Sequence, residues 1–195
     1  CVNEIIVDRL LTLLEVEHLE YELIHADIEI EGKRYNLYLC ASEDFKKRGE
    51  SKIALDDYYR TNAKKAESHY DFCVRCGWKE YIDQMIAIDY LILNRDRHGA
   101  NIEILRNARA HTLRIAPLFD HGLSLLYSCI SDAAAMKFDI MDDKRCQNFI
   151  GSYSCYENLN FIKECGDVFK GKLKESDRSI IFGGLETILS EVFID

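Results

Sequence analysis

The 195-residue chain has one proline, ten glycines and one tryptophan. So little Gly and Pro excludes collagen-like and low-complexity chains, and a 48% hydrophobic content excludes disorder. No uncharged apolar run approaches the roughly 18 residues that a membrane-spanning helix needs. Positive charge is also scarce: 25 Lys and Arg against 34 Asp and Glu leave a formal charge of −9. Proteins that grip nucleic acid usually present a basic field that displaces counterions from phosphate, so direct nucleic-acid binding is not expected. No signal-peptide pattern opens the chain. A chain of this size buries roughly 70% of its unfolded surface and needs no covalent staple. The eight cysteines therefore read as free thiols in a reducing cytoplasm.

What remains is a globular chain whose length, divided by about 150, gives roughly one domain. Val2, Ile6, Leu10, Leu13 and Leu14 recur at helical spacing. The chain opens within this pattern, with neither Met nor cap, and an upstream segment is expected. From Tyr21 the period becomes two, predicting a β-hairpin over 21–30 and 34–41 about Glu31-Gly32. One helix and one hairpin are too little for a separate core. The polar stretch Ser42–Lys52 is the candidate boundary between a smaller lobe, 1–41, and a helical lobe, 42–195. Helices are predicted over 54–66, 69–93, 157–169 and 176–193. Tyr81–Leu93, apolar except at Asp83, Gln84 and Asp89, reads as the buried spine. Short strands are predicted at Ile102–Leu105 and Thr112–Ala116, giving a mainly helical α+β fold.

The chemistry concentrates between Asn94 and Gly122. Folding the two short strands as a hairpin, with 104 opposite about 113, brings Asp96, Asn101 and Asp120 to its open end. Mg²⁺ takes oxygen ligands and keeps several waters, so one carboxylate and one carboxamide suffice to hold it. A second carboxylate can then orient an attacking hydroxyl for phosphoryl transfer. Asp-x-x-x-x-Asn, a short hairpin and Asp-x-Gly is the spacing of a kinase. Alone, each residue has a plainer reading: Asp96-Arg97 a solvated helix end, Asn101 a turn residue, Asp120 a cap. Their combination is what carries weight.

Asp96-Arg97-His98 with Asn101 resembles the catalytic loop of phosphatidylinositol 3-/4-kinases. Leu91-Ile92-Leu93-Asn94-Arg95-Asp96-Arg97-His98-Gly99-Ala100-Asn101, followed by Ala116-Pro117-Leu118-Phe119-Asp120, resembles more fully the bacterial HipA-like kinases. The resemblance covers most of residues 1–125. It implies a protein-kinase-like, PI3/4-kinase-like fold with ATP and Mg²⁺ as cofactors. Asp96 would be the base, His98 would lie near the γ-phosphate or support the loop, and Asn101 and Asp120 would hold the metal. Glu4 would pair with a phosphate-gripping lysine, for which no upstream strand is available here. Leu39, Cys40 and Ala41 would be the hinge against which adenine lies. A protein Ser/Thr acceptor is implied, and an antitoxin-type partner is compatible with the family. A lipid acceptor is disfavoured by an acidic chain without a basic amphipathic helix, and no membrane association is expected. The other class of reading is a catalytically silent kinase-shaped binding module.

Other motifs carry less. Cys73-Val74-Arg75-Cys76 lacks the further ligands of a zinc site and the strand–helix setting of a redox motif, so core or half-exposed thiols are expected. The run Gly166 to Lys172 mimics a phosphate-binding loop but has Leu173 where Ser or Thr is needed. His18, His25, His69, His111 and His121 read as polar surface or loop residues.

Overall fold

A computed structural model of the chain describes residues 1–151, 153–162 and 168–190. Helix α1 (Val2–Leu13) buries its stripe deepest at Val7 and Leu11, one position round from the predicted one. The hairpin follows as β1 (Glu22–Ile30) and β2 (Lys33–Ala41), paired from Glu22↔Ala41 to Ile30↔Lys33. Its two-residue loop has Glu31 at φ 51° and Gly32 at φ 76°. That is the primed turn whose twist matches the strands, and it needs a left-handed backbone at both positions.

The stretch predicted as a boundary ends in a strand, β3 (Ser51–Ala54), which runs into α2 (Leu55–Asn62). The segment before β3 is fastened as well: Arg114 forks onto Glu50 at 2.8 and 2.9 Å and donates to the Phe45 carbonyl. The helix predicted over 69–93 is two helices, α3 (His69–Arg75) and α4 (Lys79–Leu91). Gly77, at φ 82°, separates them. Its N–H bonds the Val74 carbonyl and the N–H of Trp78 bonds that of Cys73, the paired closure that ends helices at a left-handed glycine. Cys73 is in the core and Cys76 is half-buried.

Helix α4 is the spine, burying Ile82, Met85, Ile86 and Ile88 in one core with Val7, Leu11, Leu14, Ile102, Ile104 and Leu118. It leads to β4 (Asp96–Arg97), a 3₁₀ turn at Gly99–Asn101, and the strands β5 (Glu103–Asn107) and β6 (Thr112–Ile115). β3, β5 and β6 form an antiparallel sheet in that order. Ile104 faces Ile115, two residues beyond the predicted partner. Asn107 is the reason: it stays in the ladder opposite Thr112, and its side chain accepts the N–H groups of Arg109 and Ala110, closing a four-residue turn that is shorter than the six residues between the predicted strands. A slip of two keeps every side chain on its face, so the convergence at the hairpin's foot survives.

Beyond Gly122 the elements are short: α5 (Asp132–Ala135), β7 (Gln147–Asn148), α6 (Cys155–Asn158) and α7 (Arg178–Phe182). β7 pairs in parallel with β4, a contact that the sequence did not suggest. In place of the helix predicted over 157–169 stand α6 and a 3₁₀ turn at Leu159–Phe161, with 163–167 outside the described residues. The helix predicted over 176–193 is confined to a 3₁₀ turn and α7 because Gly183-Gly184 ends it; 191–195 lie outside the described residues. The architecture is thus mixed α+β, less helical than predicted. Among the described residues no helix is long and apolar enough to cross a membrane.

Candidate active site

One buried cation organises the loops. Arg97 is fully buried, and its Nε and Nη2 reach the Asp89 carboxylate at 3.1–3.2 Å. Asp89, on the spine helix, also accepts from the Asn94 side chain at 2.9 Å, and Asn94 Oδ1 accepts the Asp96 N–H at 3.2 Å. The remaining arm of Arg97 donates to the carbonyls of Asn101, at 3.2 Å, and Phe119, at 2.6 Å. A single nitrogen, Nη1, therefore joins the loop that carries Asp96 and Asn101 to the residue before Asp120. The Asn101 amide group donates to the Asp96 carbonyl at 2.9 Å, which leaves its oxygen for another partner.

His98 supports the loop: its Nδ1 accepts the Ala100 N–H at 3.2 Å, and its Nε2 lies 3.7 Å from an Asp96 oxygen. Gly99 packs closely on the Asp56 side chain, which would have to shift for any larger residue. A Cβ there would stand 2.2 Å from a carboxylate oxygen of Asp56.

Asp120 has a left-handed backbone, φ 58°, and its N–H donates to the Tyr21 hydroxyl at 3.3 Å. The residue is solvent-exposed, although its carboxyl is partly withdrawn from water. Partial withdrawal from water, then the charge of Glu4 and with it that of Asp96, push its pKa up, with Arg97 opposing. Burial and Glu4 likewise push Tyr21 up to about 12.

Glu4 is buried, and among the described residues it meets His121. Both its oxygens accept the His121 N–H, at 2.9 and 3.0 Å, and the His121 ring lies 3.5 Å away. Asn3 adds bonds to the carbonyls of Gly122 and Ser124. The start of α1 thus clamps the Asp120-His121-Gly122 loop. His121 is 1% exposed, which corrects the expectation of a surface histidine; burial lowers its pKa and favours the neutral ring.

Leu39, Cys40 and Ala41 end β2 opposite Ile24, Leu23 and Glu22, and all three are half-buried. Cys40 packs towards Ile5, Ile6 and Leu185, and its thiol is pushed up by burial and by Glu4. The hairpin base and the Asp120 loop meet through Tyr21. A cavity of about 1050 Å³ lies past Gly122 between Val2, Ile6, Leu126 and Leu189 and takes in none of Asp96, Asn101 and Asp120. It is apolar space beside the chemistry.

Sequence reasoning missed Arg97, Asp89, Asn94 and Tyr21. A signal existed for the first two: a carboxylate interrupting an otherwise apolar helix must be paired when buried, and an arginine follows eight residues later.

A helical spine, a short hairpin and two acidic loops joined at its foot make a bacterial kinase-like fold. The chain is similar to the crystal structure of a Helicobacter pylori proinflammatory kinase, CtkA, with a TM-score of 0.56 and 22% identity over 70% of this chain and 52% of that one. It spans about half the length of that kinase. No family model and no curated protein sequence matches it.

Proposed function

We propose that this chain carries the catalytic and metal-binding loops of an ATP- and Mg²⁺-dependent HipA-like kinase that phosphorylates Ser or Thr hydroxyls of a protein in the cytoplasm. The observation that carries the reading is the buried Arg97 nitrogen shared by the carbonyls of Asn101 and Phe119. It supports a standing assembly of the base loop and the metal loop.

The residues fit the metal. Among the described residues no group of three or more His, Cys, Asp or Glu side chains is placed to cage an ion, and Mg²⁺ asks for none, since it binds through one or two protein oxygens plus waters and phosphates. The Asp120 carboxylate and the Asn101 amide oxygen are that donor set. Withdrawal from water, then the charges of Glu4 and Asp96, raise the Asp120 pKa, and a divalent cation would favour its ionised form against both. When bound, the ion neutralises charge on the transferred phosphoryl group. Asp96 accepts the proton of the acceptor hydroxyl, held by Asn94 at its N–H and by Asn101 at its carbonyl. His98 holds the loop and stands beside Asp96. Leu39–Ala41 offer backbone for adenine, and Glu4 fixes the Asp120 loop.

A second reading, a catalytically silent kinase-fold module, is favoured by one observation: both Glu4 oxygens are engaged by the His121 N–H. Isothermal titration of Mg·ATP, paired with a radiolabelled phosphate-transfer assay on the protein, separates the two. Binding and transfer that both depend on Asp120 support the kinase. Transfer that survives Asp120→Ala rules the assignment out.

A further inference from the structure

Two of the seven cysteines among the described residues are placed against each other. Arg145 and Ser154 form an antiparallel bridge, flanked by the N–H of Cys146 on the Tyr153 carbonyl, 2.9 Å, and that of Cys155 on the Lys144 carbonyl, 3.1 Å. Side chains alternate across such a bridge, so Cys146 and Cys155 share a face. Each is 4% exposed. The Asn158 side-chain amide donates to Cys146 Sγ at 3.6 Å, the Cys146 thiol bonds to Cys155, and the Cys155 S–H donates to the Asn94 carbonyl at 3.8 Å.

The chain of donors separates the two sulfurs. The hydrogen bond with Cys155 and burial hold the Cys146 thiol well above its ordinary pKa, while the bond from Cys146 lowers that of Cys155. Cys155, whose sulfur accepts from the Cys146 thiol, is the one of the pair whose thiolate would keep a donor, and thiolate is the nucleophilic form. Cys155 also lines a small cavity of about 70 Å³ with Leu93, Asp142, Lys144 and Tyr156, room enough for a molecule of the size of water. The Cys-x-x-Cys motif is different: Cys73 and Cys76 are both raised, mainly by burial.

We propose that Cys155 and Cys146 are a peroxide-reactive dithiol site that closes to an intramolecular disulfide. The Cys155 thiolate attacks one oxygen of hydrogen peroxide. The O–O bond breaks, the leaving oxygen takes a proton and departs as water, and Cys155 becomes a sulfenic acid. The Cys146 sulfur then attacks the Cys155 sulfur, the S–O bond breaks, and hydroxide departs with the Cys146 proton as water. Two thiols lose two electrons in all, and one peroxide gains them. Closure withdraws the Cys155 donor from the Asn94 carbonyl. Asn94 holds the Asp96 N–H, and Gln147–Asn148, directly after Cys146, pair with Asp96–Arg97. The modification therefore lies behind the base loop, although the site stands independently of the kinase reading.

The test uses the 195-residue chain, equimolar hydrogen peroxide, alkylation of residual thiols and peptide mapping by mass spectrometry. The first crosslink expected joins Cys146 to Cys155. Cys146→Ser should trap a sulfenic acid at Cys155, labelled by dimedone about tenfold faster than the half-buried Cys129, and Cys155→Ser should yield no disulfide at Cys146. A first crosslink between other cysteines, or Cys155 labelling no faster than Cys129, overturns the proposal. Where a serine variant fails to fold by circular dichroism, the map of the unmutated chain decides alone.

Discussion

The long hairpin β1–β2 and the short hairpin β5–β6 use their residues in opposite ways. The long one has nine paired positions. One face carries Ile24, Ala26, Ile28, Ile30, Tyr35 and Leu37, and Ile24, Ile30, Tyr35 and Leu37 are 40–50% exposed. Its other face holds a polar ladder, His25 to Asn36 to Asp27. The short one has four pairs, yet it gains β3 as a third strand and buries Ile104 and Leu105 to 1% or less. Ladder length does not decide which is firm, since a two-stranded hairpin is marginal without something to pack on. The candidate site is built at the foot of the short, buried hairpin, where Arg97 fixes both ends.

The largest effect expected is on chemistry at that foot. On the proposed kinase function, Asp120→Ala should lower phosphoryl transfer by about a hundredfold or more, because electrostatic stabilisation of the transferred group is a leading catalytic term. Asp96→Asn should slow transfer while leaving Mg·ATP affinity nearly unchanged by titration. Equal loss of binding and transfer in Asp96→Asn would show that Asp96 serves binding and not proton transfer.

Stability should break at the same place. Arg97→Met strands the buried Asp89 charge and should cost roughly 3–5 kcal/mol, measured by urea denaturation. The double variant Arg97→Met with Asp89→Leu should recover much of that, because removing both charges removes the unpaired one. A double variant no better than the single one would mean that the carbonyls of Asn101 and Phe119, and not Asp89, set the cost.

The comparison of hairpins sharpens with two matched truncations. Ile104→Ala empties a buried site and should cost roughly 2–5 kcal/mol. Leu37→Ala, on the open face, should stay within about 0.5 kcal/mol. Equal losses would mean that the face of the long hairpin is covered in solution.

These contrasts mark what the sequence made legible. Both hairpins were readable because alternation, Glu31-Gly32 and the Asn94–Asn101 run are local signals. The convergence of Asp96, Asn101 and Asp120 was readable because it needs only a short hairpin, and a two-residue slip left faces unchanged. The means of holding it was not readable. Arg97 looked like a solvated ion and His121 like a surface residue, since burial is decided by packing between residues as far apart as Glu4 and His121. The helix break at Gly77 was a local signal overridden by the apolar periodicity on both sides. The Cys146–Cys155 juxtaposition depends on a bridge at Arg145 and Ser154 that no periodicity announces.

The smallest effect lies at the rim of the short hairpin. The Arg114 fork, with the Lys47 N–H, holds the Glu50 carboxyl down to about 2 from its ordinary 4.5. A carboxyl with a depressed folded-state pKa adds stability that is complete above its unfolded value and disappears as pH falls through its folded value. The difference in melting temperature between the unmutated chain and Glu50→Gln should therefore be greatest above about pH 4.5 and shrink towards zero near pH 2. Glu67, held to about 2 by Arg75 in the turn between α2 and α3, titrates in the same window, so Glu67→Gln serves as the matched control. If the fork matters by fastening the Phe45–Glu50 segment onto β6, Glu50→Gln alone should speed amide exchange in β3 and β6. A pH-independent difference, or equal exchange in both variants, would show that the fork lies on the surface without restraining the hairpin.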